Sequence, residues 1–238
     1  MKGEQYRVHA SLGLRHWWHY GTKMFFLGLI KKSLPKGAEL LDAGCGVGDM
    51  LMLLVDHYRV TGIDCSEDAM KYCAERGISC YVRQGDISNL PFNDGSFDGV
   101  LSLDVLYHSW VADDVDAARE MYRVLKPGGR VFIQLPAYEW LRSGHDEWAF
   151  SGRRYTATRL SGLLTSAGFK NLRVGYRVAL LFPFAAARRL LFRHAGSDMR
   201  RENPFINSFL KGVMIIENAI TLRFGFPFGL SVFGVAEK

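Results

Sequence analysis

The chain has 238 residues, and 48% of them are hydrophobic. This length accommodates one α/β domain with a sizeable core and excludes two independent domains of usual size. The four cysteines form no CxxC pair, which argues against a disulfide framework or a zinc site. Nothing at the N-terminus resembles a cleavable signal, so we expect a reducing, cytoplasmic setting.

The net charge of +6 is modest, but much of the Lys and Arg excess follows residue 150 and is interleaved with Phe and Leu. This pattern suits an anionic membrane surface or an anionic substrate, and it equally suits a solvated basic face. The longest apolar stretches, 24–30 and 178–187, fall short of the roughly 20 residues that cross a bilayer. We therefore expect no membrane-spanning segment.

From residue 38 to about 135, short apolar runs alternate with amphipathic stretches, which is typical of βα units that wind a parallel sheet. The pattern predicts strands over 38–42, 59–63, 79–82, 97–103 and 130–135, and helices over 49–57, 67–76 and 113–125. Residues 138–155 show no clear period and predict a long loop, which in a compact domain is usually functional. The remaining chain predicts a helix over 158–167, a long strand or sheet edge over 172–184, an amphipathic helix over 204–222 and a final strand over 230–236.

The first predicted strand runs into a turn in which Gly44, Gly46 and Gly48 follow Asp42 at every second position. Such glycines let the backbone turn tightly and lie against a ligand that a side chain would exclude. A dinucleotide-binding turn also follows a first strand, but its spacing is G-x-G-x-x-G, whereas the spacing here is D-x-G-x-G-x-G. Asp64 closes the second strand, where its carboxylate can accept both hydroxyls of a ribose or, alternatively, cap the next helix.

These residues, together with the Gly85-Asp86-Ile87 segment and the segments 97–108 and 124–130, resemble the motifs of class I S-adenosylmethionine-dependent methyltransferases. By this resemblance Asp86 binds the adenine amino group, Ile87 packs on the adenine ring and Leu103 meets the methionine part of the cofactor. Cys65, next to Asp64, is placed in the same cofactor-binding set. The implied cofactor is S-adenosyl-L-methionine, with S-adenosyl-L-homocysteine as the product.

The resemblance also implies an α/β fold with a Rossmann-like, doubly wound sheet. Seven strands are expected, mostly parallel with an antiparallel last strand, and with helices on both faces. Residues 1–37 are expected to form an N-terminal helical cap. Residues 38–238 are then the methyltransferase domain, with an insertion after strand five at about 138–157 and an apolar helical insertion at about 185–225.

Methyl transfer from a sulfonium is an in-line displacement, so the protein must hold the acceptor and, for a hydroxyl or a protonated amine, take a proton. Candidate bases belong in the loops at the carboxyl ends of strands four and five. His108 follows strand four, and His145 lies in the long loop after strand five. These two histidines are the predicted catalytic residues, and Tyr107 beside His108 is a predicted substrate contact.

The long loop resembles a bacterial subfamily of these enzymes that has an HD pair, an RRYT run and a helix ending in AGF. This chain has His145-Asp146, Arg153-Arg154-Tyr155-Thr156 and Ala167-Gly168-Phe169, but Ser151 where the subfamily often has a second histidine. Arg153, Arg154 and Tyr155 are therefore predicted to bind substrate, the arginines as forks for a phosphate. The alternatives are a loop cap for His145-Asp146 and an arginine bridge from the loop to the sheet.

An HWW run over 16–18 resembles the same subfamily, in which it precedes a basic helix that covers the cofactor. Here Lys23 stands alone for those basic residues. Trp17 and Trp18 are predicted to bind substrate, with hydrophobic packing as the alternative. His16 and His19 lie one helical turn apart without a third ligand nearby, so no metal site is expected.

The C-terminal portion, 203–231, carries an apolar face, which indicates core packing or, alternatively, peripheral contact with a lipid or membrane surface. As a whole, the sequence predicts a methyltransferase for a small hydrophobic acceptor, with O-methylation favoured. The alternatives are N- or C-methylation and a non-catalytic, cofactor-binding scaffold. No nucleic-acid partner is expected, because no Asn-Pro-Pro-Tyr-like motif appears and the charge is moderate. The oligomeric state stays open.

Overall fold

The computed structural model describes residues 3–191 and 202–238, and the strands of this part form one sheet. They are β1 Glu39–Ala43, β2 Arg59–Asp64, β3 Val82–Gln84, β4 Phe97–Leu103, β5 Leu125–Pro136, β6 Lys170–Arg177 and β7 Ser231–Glu237. Their order in the sheet is β3-β2-β1-β4-β5-β7-β6. Strands β1 to β5 are parallel, whereas β7 runs antiparallel to both β5 and β6. The predicted fold class is confirmed.

The α-helices of the described part surround this sheet. They are α1 Gly3–Leu12, α2 Trp17–Ser33, α3 Asp49–Leu54, α4 Glu67–Glu75, α5 Asp114–Val124, α6 Gly144–Trp148, α7 Ala157–Ser166, α8 Phe182–Leu191 and α9 Pro204–Arg223. Shorter 3-10 turns occupy Gly13–Arg15, Ser79–Tyr81 and Glu139–Leu141.

Successive residues of the central strands point to opposite faces of the sheet, and each face carries its own hydrophobic cluster. Leu40 and Leu101 belong to the cluster that α2 and α3 cover. Their chain neighbours, Leu41 and Val100, belong to the cluster that α5 and α7 cover. The core is therefore two layers of side chains with the sheet between them.

Helix α2 is part of this core, since Phe25 and Phe26 are fully buried against the sheet. Helix α1 lies instead over α4 and the turn after β1, where Tyr6 packs with Val47 and Ala69. The two N-terminal helices thus differ in what they cover. The first covers the carboxyl end of β1, and the second covers a face of the sheet.

Two strands differ from the prediction. The third strand was expected over 79–82, but Ser79–Tyr81 is a 3-10 turn and the edge strand β3 begins at Val82. It pairs with β2 over only three residues. Strand β5 begins at Leu125 rather than at 130, and its pairing with β4 shifts register between Phe97 and Gly99.

The prediction of a strand over 172–184 is wrong beyond Arg177, because a helix follows. Pro183 lies in the first turn of α8, where the missing N–H of proline is not needed. A short apolar run does not by itself distinguish a strand from a helix. The predicted loop over 138–155 likewise contains a 3-10 turn and the short helix α6, which Ser143 and Asp146 cap reciprocally.

A buried polar network joins α2, β5, β6 and α9. The guanidinium of Arg177 donates to Gln134 Oε1, to the Gly21 carbonyl at 3.2 Å and to Asn218 Oδ1 at 3.1 Å. It also lies 4.2 Å from the centroid of the Phe25 ring. Burial lowers the pKa of Arg177 to about 10, so the group remains charged at neutral pH.

Helix α9 meets the length and composition that a membrane span requires, although its sequence contains Lys211, Glu217 and Arg223. Only 22% of its most apolar stretch is buried within the fold. Core helices of soluble proteins can pass the same test, so this property alone is weak support for a membrane span. The exposure of its apolar residues is taken up below.

Candidate active site

The turn after β1 is shaped by its glycines. Gly44, Gly46 and Gly48 have φ angles of +92°, +54° and +77°, a region that side chains disfavour. A Cβ atom on Gly44 would collide with Val105, and one on Gly48 would collide with Ile78. At Gly46, by contrast, no described residue other than Gly46 and its chain neighbours has an atom within 4 Å of the place that a Cβ would take. The turn is therefore packed at both ends and open in the middle.

The Asp64 carboxylate holds this turn in place. One oxygen accepts from the Gly46 N–H at 2.9 Å, and the other accepts from the Ser66 N–H and the Tyr6 hydroxyl, each at 3.0 Å. Burial, together with the charge of Asp64, raises the pKa of Tyr6, so its hydroxyl remains a donor. The bond from Ser66 agrees with the capping interpretation. Oδ1 already accepts two bonds, whereas Oδ2 accepts one and can accept a further bond from a ribose hydroxyl.

Two more carboxylates lie behind the turn. Burial raises the pKa of Asp42 to about 7, although the nearby Lys23 acts in the opposite sense. Asp49, at the start of α3, is paired with Lys23 at 3.2 Å and with Arg76 at 2.5 Å. Lys23, the single basic residue noted after the HWW run, thus connects helix α2, to which it belongs, with Asp49 after the turn.

A cavity of about 360 Å³ extends from the glycine turn to the loops after β4 and β5. All the predicted site residues line it except Gly48, Arg153 and Tyr155. Asp86 and Ile87 contribute from the segment after β3, Leu103 from the end of β4, and Cys65 from the segment after β2. The carboxyl ends of the parallel strands meet here, as this sheet topology requires.

The chain after β4 brings a carboxylate that the sequence analysis did not single out. Asp104 lines the cavity with a φ of +57°, and its Oδ2 accepts from Gln134 Nε2 at 2.8 Å. Burial raises the pKa of Asp104 to about 6. The sequence did contain a signal for Asp104, because this residue is polar and directly follows a buried strand.

The first candidate base, His108, is poorly suited to take a proton. Its Nδ1 lies 2.9 Å from the Ala149 carbonyl, and its ring packs between Tyr107 and Trp110 with centroids 4.1 and 4.0 Å away. Burial lowers the pKa of His108 to about 3. The ring is therefore neutral and weakly basic, which favours a packing role.

The second candidate, His145, lies in α6 with its ring 5.5 Å from that of Trp148. The same tryptophan contacts His9 of α1, whose ring is 5.1 Å from His19 of α2. His9 was not predicted as a site residue. Tertiary packing of α1 and α2 brings these histidines together, which local sequence patterns do not reveal.

His9 and His19 are uncharged at neutral pH. Burial and the nearby Lys23 lower the pKa of His9 to about 4 and that of His19 well below its usual range. His19 Nε2 is buried at the cavity wall and has no hydrogen-bond partner within the described residues. Those residues contain no group of His, Cys, Asp or Glu arranged to hold a metal ion. His19 is thus suited to a hydrogen bond from a ligand.

The paired arginines make contacts within the protein. Arg154 is buried, with a two-point ion pair to Asp146 at 2.7 and 3.0 Å and a bond to the Ala137 carbonyl. Arg153 lies outside the cavity and donates to the Val111 carbonyl at 2.6 Å. These contacts match the alternative, a bridge from the loop to the sheet. A phosphate would have to displace them.

Tyr155 is likewise placed away from the cavity. It is fully buried, and its hydroxyl donates to Asp114 at 2.5 Å. The predicted substrate contact is therefore replaced by a bond that fixes the start of α5. Trp17 and Trp18 do line the cavity, with their rings 5.7 Å apart and nearly perpendicular.

The fold and the glycine turn together define a class I methyltransferase architecture, and the comparison with known proteins agrees. Residues 41–133 match the family model described as "Methyltransferase domain". They fall within the stretch 38–135 that carried the resemblance in the sequence. Residues 41–133 are therefore similar to the methyltransferase domain of the class I S-adenosylmethionine-dependent family.

Among similar proteins, a probable S-adenosylmethionine-dependent methyltransferase of Mycolicibacterium smegmatis is 34% identical over 56% of this chain and 52% of that protein. A malonyl-[acyl-carrier protein] O-methyltransferase of Erwinia pyrifoliae is 34% identical over 65% of this chain and 61% of that protein. The chain thus spans between half and two thirds of these relatives. The names of further relatives include tRNA and sterol methyltransferases, so the match leaves the acceptor open.

Solved structures show the same fold. A methyltransferase of Thermotoga maritima, titled a possible histamine N-methyltransferase, aligns with a TM-score of 0.61 at 20% identity. The alignment covers 98% of this chain and 99% of that one. The open space above Gly46 and the Asp64 carboxylate beside it fit the methyl donor of the family. The acceptor side has no such family-wide signature.

Proposed function

We propose that this protein transfers a methyl group from S-adenosylmethionine to an oxygen atom of a small, apolar acceptor. The observation that carries the proposal is the cavity, which joins the open glycine turn to a set of proton-accepting side chains. When bound, S-adenosylmethionine supplies an electrophilic methyl group on a sulfonium. The residues of this chain must then bind the acceptor, exclude water and take its proton.

The acceptor side of the cavity favours an apolar molecule. Trp17, Trp18, Val105, Val111 and Leu230 line it. Aromatic and aliphatic walls bind a hydrophobic ring or chain, and a few polar groups then orient it. A non-catalytic scaffold would need the cofactor site without this additional space, so the extension of the cavity supports an enzyme.

Three groups are placed to hold the acceptor proton. Asp104 has a pKa raised to about 6 by burial, which brings it nearer to neutral pH. His19 offers a buried ring nitrogen that has no partner among residues 3–191 and 202–238, and His145 lies on the loop side of the same cavity. We retain His145 as the proposed base and infer that Asp104 and His19 orient the acceptor hydroxyl.

The first test is calorimetric titration of the full chain with S-adenosylmethionine and S-adenosylhomocysteine, with NAD as the control ligand. We expect micromolar binding of the first two. Incubation with S-adenosylmethionine carrying a ¹³C methyl group and a panel of phenolic and isoprenoid acceptors then identifies the methylated atom from its carbon chemical shift. A label found on nitrogen or carbon would overturn O-methylation, and binding without transfer to any acceptor would favour the scaffold.

The role of His145 is tested by His145→Ala. We expect turnover to fall roughly a hundredfold while cofactor affinity is unchanged, the usual contribution of a general base. The matched control is His57→Ala, which changes a histidine outside the cavity. Loss of cofactor affinity in His145→Ala would instead assign this residue to the cover over the cofactor.

A further inference from the structure

The exposed apolar residues are concentrated in one region of the molecule. Within the described residues, eleven of the fifteen exposed large hydrophobic side chains lie between residues 180 and 228. They come from α8, α9 and the segments beside them. We call this region the α8–α9 surface; its most exposed members are Phe184, Leu191, Phe205, Phe209 and Phe224.

Helix α9 exposes large apolar residues and buries polar ones, the opposite of the usual amphipathic helix at the surface of a soluble protein. Its outward side carries Phe205, Phe209 and Ile216, spaced four and seven residues apart and 87%, 70% and 60% exposed. Its inward side carries Glu217 and Asn218, both buried. A helix folded for water alone would place its aromatic residues inward and its carboxylate outward.

The inward polar residues explain how α9 is held. Glu217 accepts hydrogen bonds from the backbone N–H groups of Val178 and Leu180, the second at 3.0 Å. Asn218 donates to the Gly21 carbonyl at 2.8 Å and accepts from Arg177. These bonds fix α9 to the end of β6 and to α2. The helix cannot cross a bilayer without breaking them.

The charge around the surface selects the kind of partner. Within the described residues 180–191 and 202–228, the cations are Arg188, Arg189, Lys211 and Arg223, and the acidic residues are Glu202 and the buried Glu217. The exposed face of α9 that runs through Phe205, Phe209, Ile216 and Ala219 carries no charged residue, and Arg223 lies at its end. An apolar stripe with cations around it matches the interface of a bilayer that contains anionic lipids. A two-fold contact between copies would place the same cations against one another.

We propose that the α8–α9 surface docks onto an anionic lipid bilayer, with α9 lying in the plane of the interface. At 20 residues and about 1.5 Å per residue, α9 presents a stripe roughly 30 Å long. Phe205 and Phe209 enter the acyl boundary, while Glu217 and Asn218 stay bonded to the fold. The proposal does not depend on the chemistry of the site.

The test is co-sedimentation of the full chain with vesicles of phosphatidylglycerol and phosphatidylcholine, and with vesicles of phosphatidylcholine alone. The variant is the double substitution Phe205→Ser and Phe209→Ser. Its matched control is Met52→Ser with Tyr81→Ser, which removes two exposed apolar residues from another part of the surface. Circular dichroism checks that all three proteins are folded.

We expect the wild type to bind the anionic vesicles and the double variant to bind them at least about tenfold more weakly. The control should bind as the wild type does, and added salt should weaken binding. Equal binding by the double variant, or no binding by the folded wild type, would overturn the proposal. So would a wild-type dimer in sedimentation velocity that the double variant abolishes, since a second copy would then cover the surface.

Discussion

At the scale of single residues, the site contains carboxylates that already accept hydrogen bonds from other groups of the protein when no ligand is bound. Asp64 connects the glycine turn, the start of α4 and helix α1 through Gly46, Ser66 and Tyr6. Such a residue can both shape a site and bind a ligand. The two roles are separable by changing its partners one at a time.

Asp64→Ala should weaken binding of S-adenosylmethionine roughly ten- to hundredfold, on the scale of charge-assisted hydrogen bonds. Tyr6→Phe is the matched control, because it removes one of the internal bonds and leaves the carboxylate. Calorimetry should give an affinity for Tyr6→Phe within a few-fold of the wild type. If Asp64→Ala binds as tightly as the wild type, Asp64 does not contact the ribose.

The buried Asp42 should make the stability of the protein without cofactor depend on pH. Because burial raises the pKa of Asp42 to about 7, the folded state keeps a proton that the unfolded state has already lost. The contribution of this group to stability is therefore complete at low pH and is lost as the pH rises towards 7. Relative to Asp42→Asn, the wild type should lose about 2 kcal/mol of unfolding free energy between about pH 5 and about pH 7.5.

Urea denaturation at the two pH values measures this difference. Asp98→Asn is the control, because partial burial of Asp98 is outweighed by hydrogen bonds from Lys126 that lower its pKa. A lowered pKa contributes stability that is lost only at lower pH, so the difference between Asp98→Asn and the wild type should stay constant in this range. Parallel behaviour of Asp42→Asn and the wild type would show that Asp42 ionises normally.

At the scale of secondary-structure elements, Arg177 joins helices that are distant in sequence. Replacing it with methionine removes the charge while keeping an unbranched apolar chain. It also removes the guanidinium that donates to Asn218 Oδ1 and Gln134 Oε1. We expect Arg177→Met to lower the unfolding free energy by about 3–5 kcal/mol. Arg119→Met, which breaks an exposed pair with Asp116, should cost less than about 1 kcal/mol.

Chemical denaturation of both variants checks this prediction. Arg119→Met controls for loss of an arginine and its ion pair at the surface. If Arg177→Met is no less stable than Arg119→Met, the network at Arg177 contributes nothing beyond what apolar packing would supply. The junction of α2, β6 and α9 would then depend on Glu217 and on the surrounding hydrophobic contacts.

The sequence predicted the elements whose periodicity is strong. The strands around the glycine turn and the helices α4, α5, α7 and α9 begin and end within a few residues of their predicted bounds. The prediction over 172–184 was wrong because that run is apolar without a clear period, and only its packing decides between strand and helix. The short helix α6 was missed for a similar reason, since five residues carry too little pattern.

The site was predictable where it is local in sequence. The glycine turn, Asp64 and the segment after β3 are each defined by neighbouring residues. His9 and Asp104 were missed. His9 reaches the cavity only through the tertiary packing of α1, and Asp104 has a raised pKa only because it is buried in the folded protein. For the arginines after the loop the sequence left two interpretations open, since an arginine that binds phosphate and one that bridges a loop look the same in sequence.

At the scale of the whole molecule, the cavity and the α8–α9 surface share a helix. Ala185, Arg188 and Arg189 of α8 line the cavity. If the surface docks on a bilayer and the proposed function holds, a lipophilic acceptor can enter the cavity from the membrane. Anionic vesicles should then lower the apparent KM for a lipophilic acceptor severalfold and leave the KM for a water-soluble acceptor unchanged.

Initial-rate measurements with and without vesicles check this expectation, with the Phe205→Ser and Phe209→Ser double variant as the control. The double variant should retain the wild-type rate on the water-soluble acceptor but lose the response to vesicles. A wild type that is active yet indifferent to vesicles would contradict acceptor entry from the membrane without contradicting methyl transfer.

The contact between the turn after β1 and the segment after β4 connects the two ends of the cavity. The Val105 side chain fills the space that a Cβ atom on Gly44 would need, so neither segment can shift without moving the other. We therefore expect a ligand that orders one segment to change the affinity of the other end of the cavity for its own ligand. Thermodynamic linkage makes this coupling reciprocal: whatever factor bound cofactor adds to acceptor affinity, bound acceptor adds to cofactor affinity.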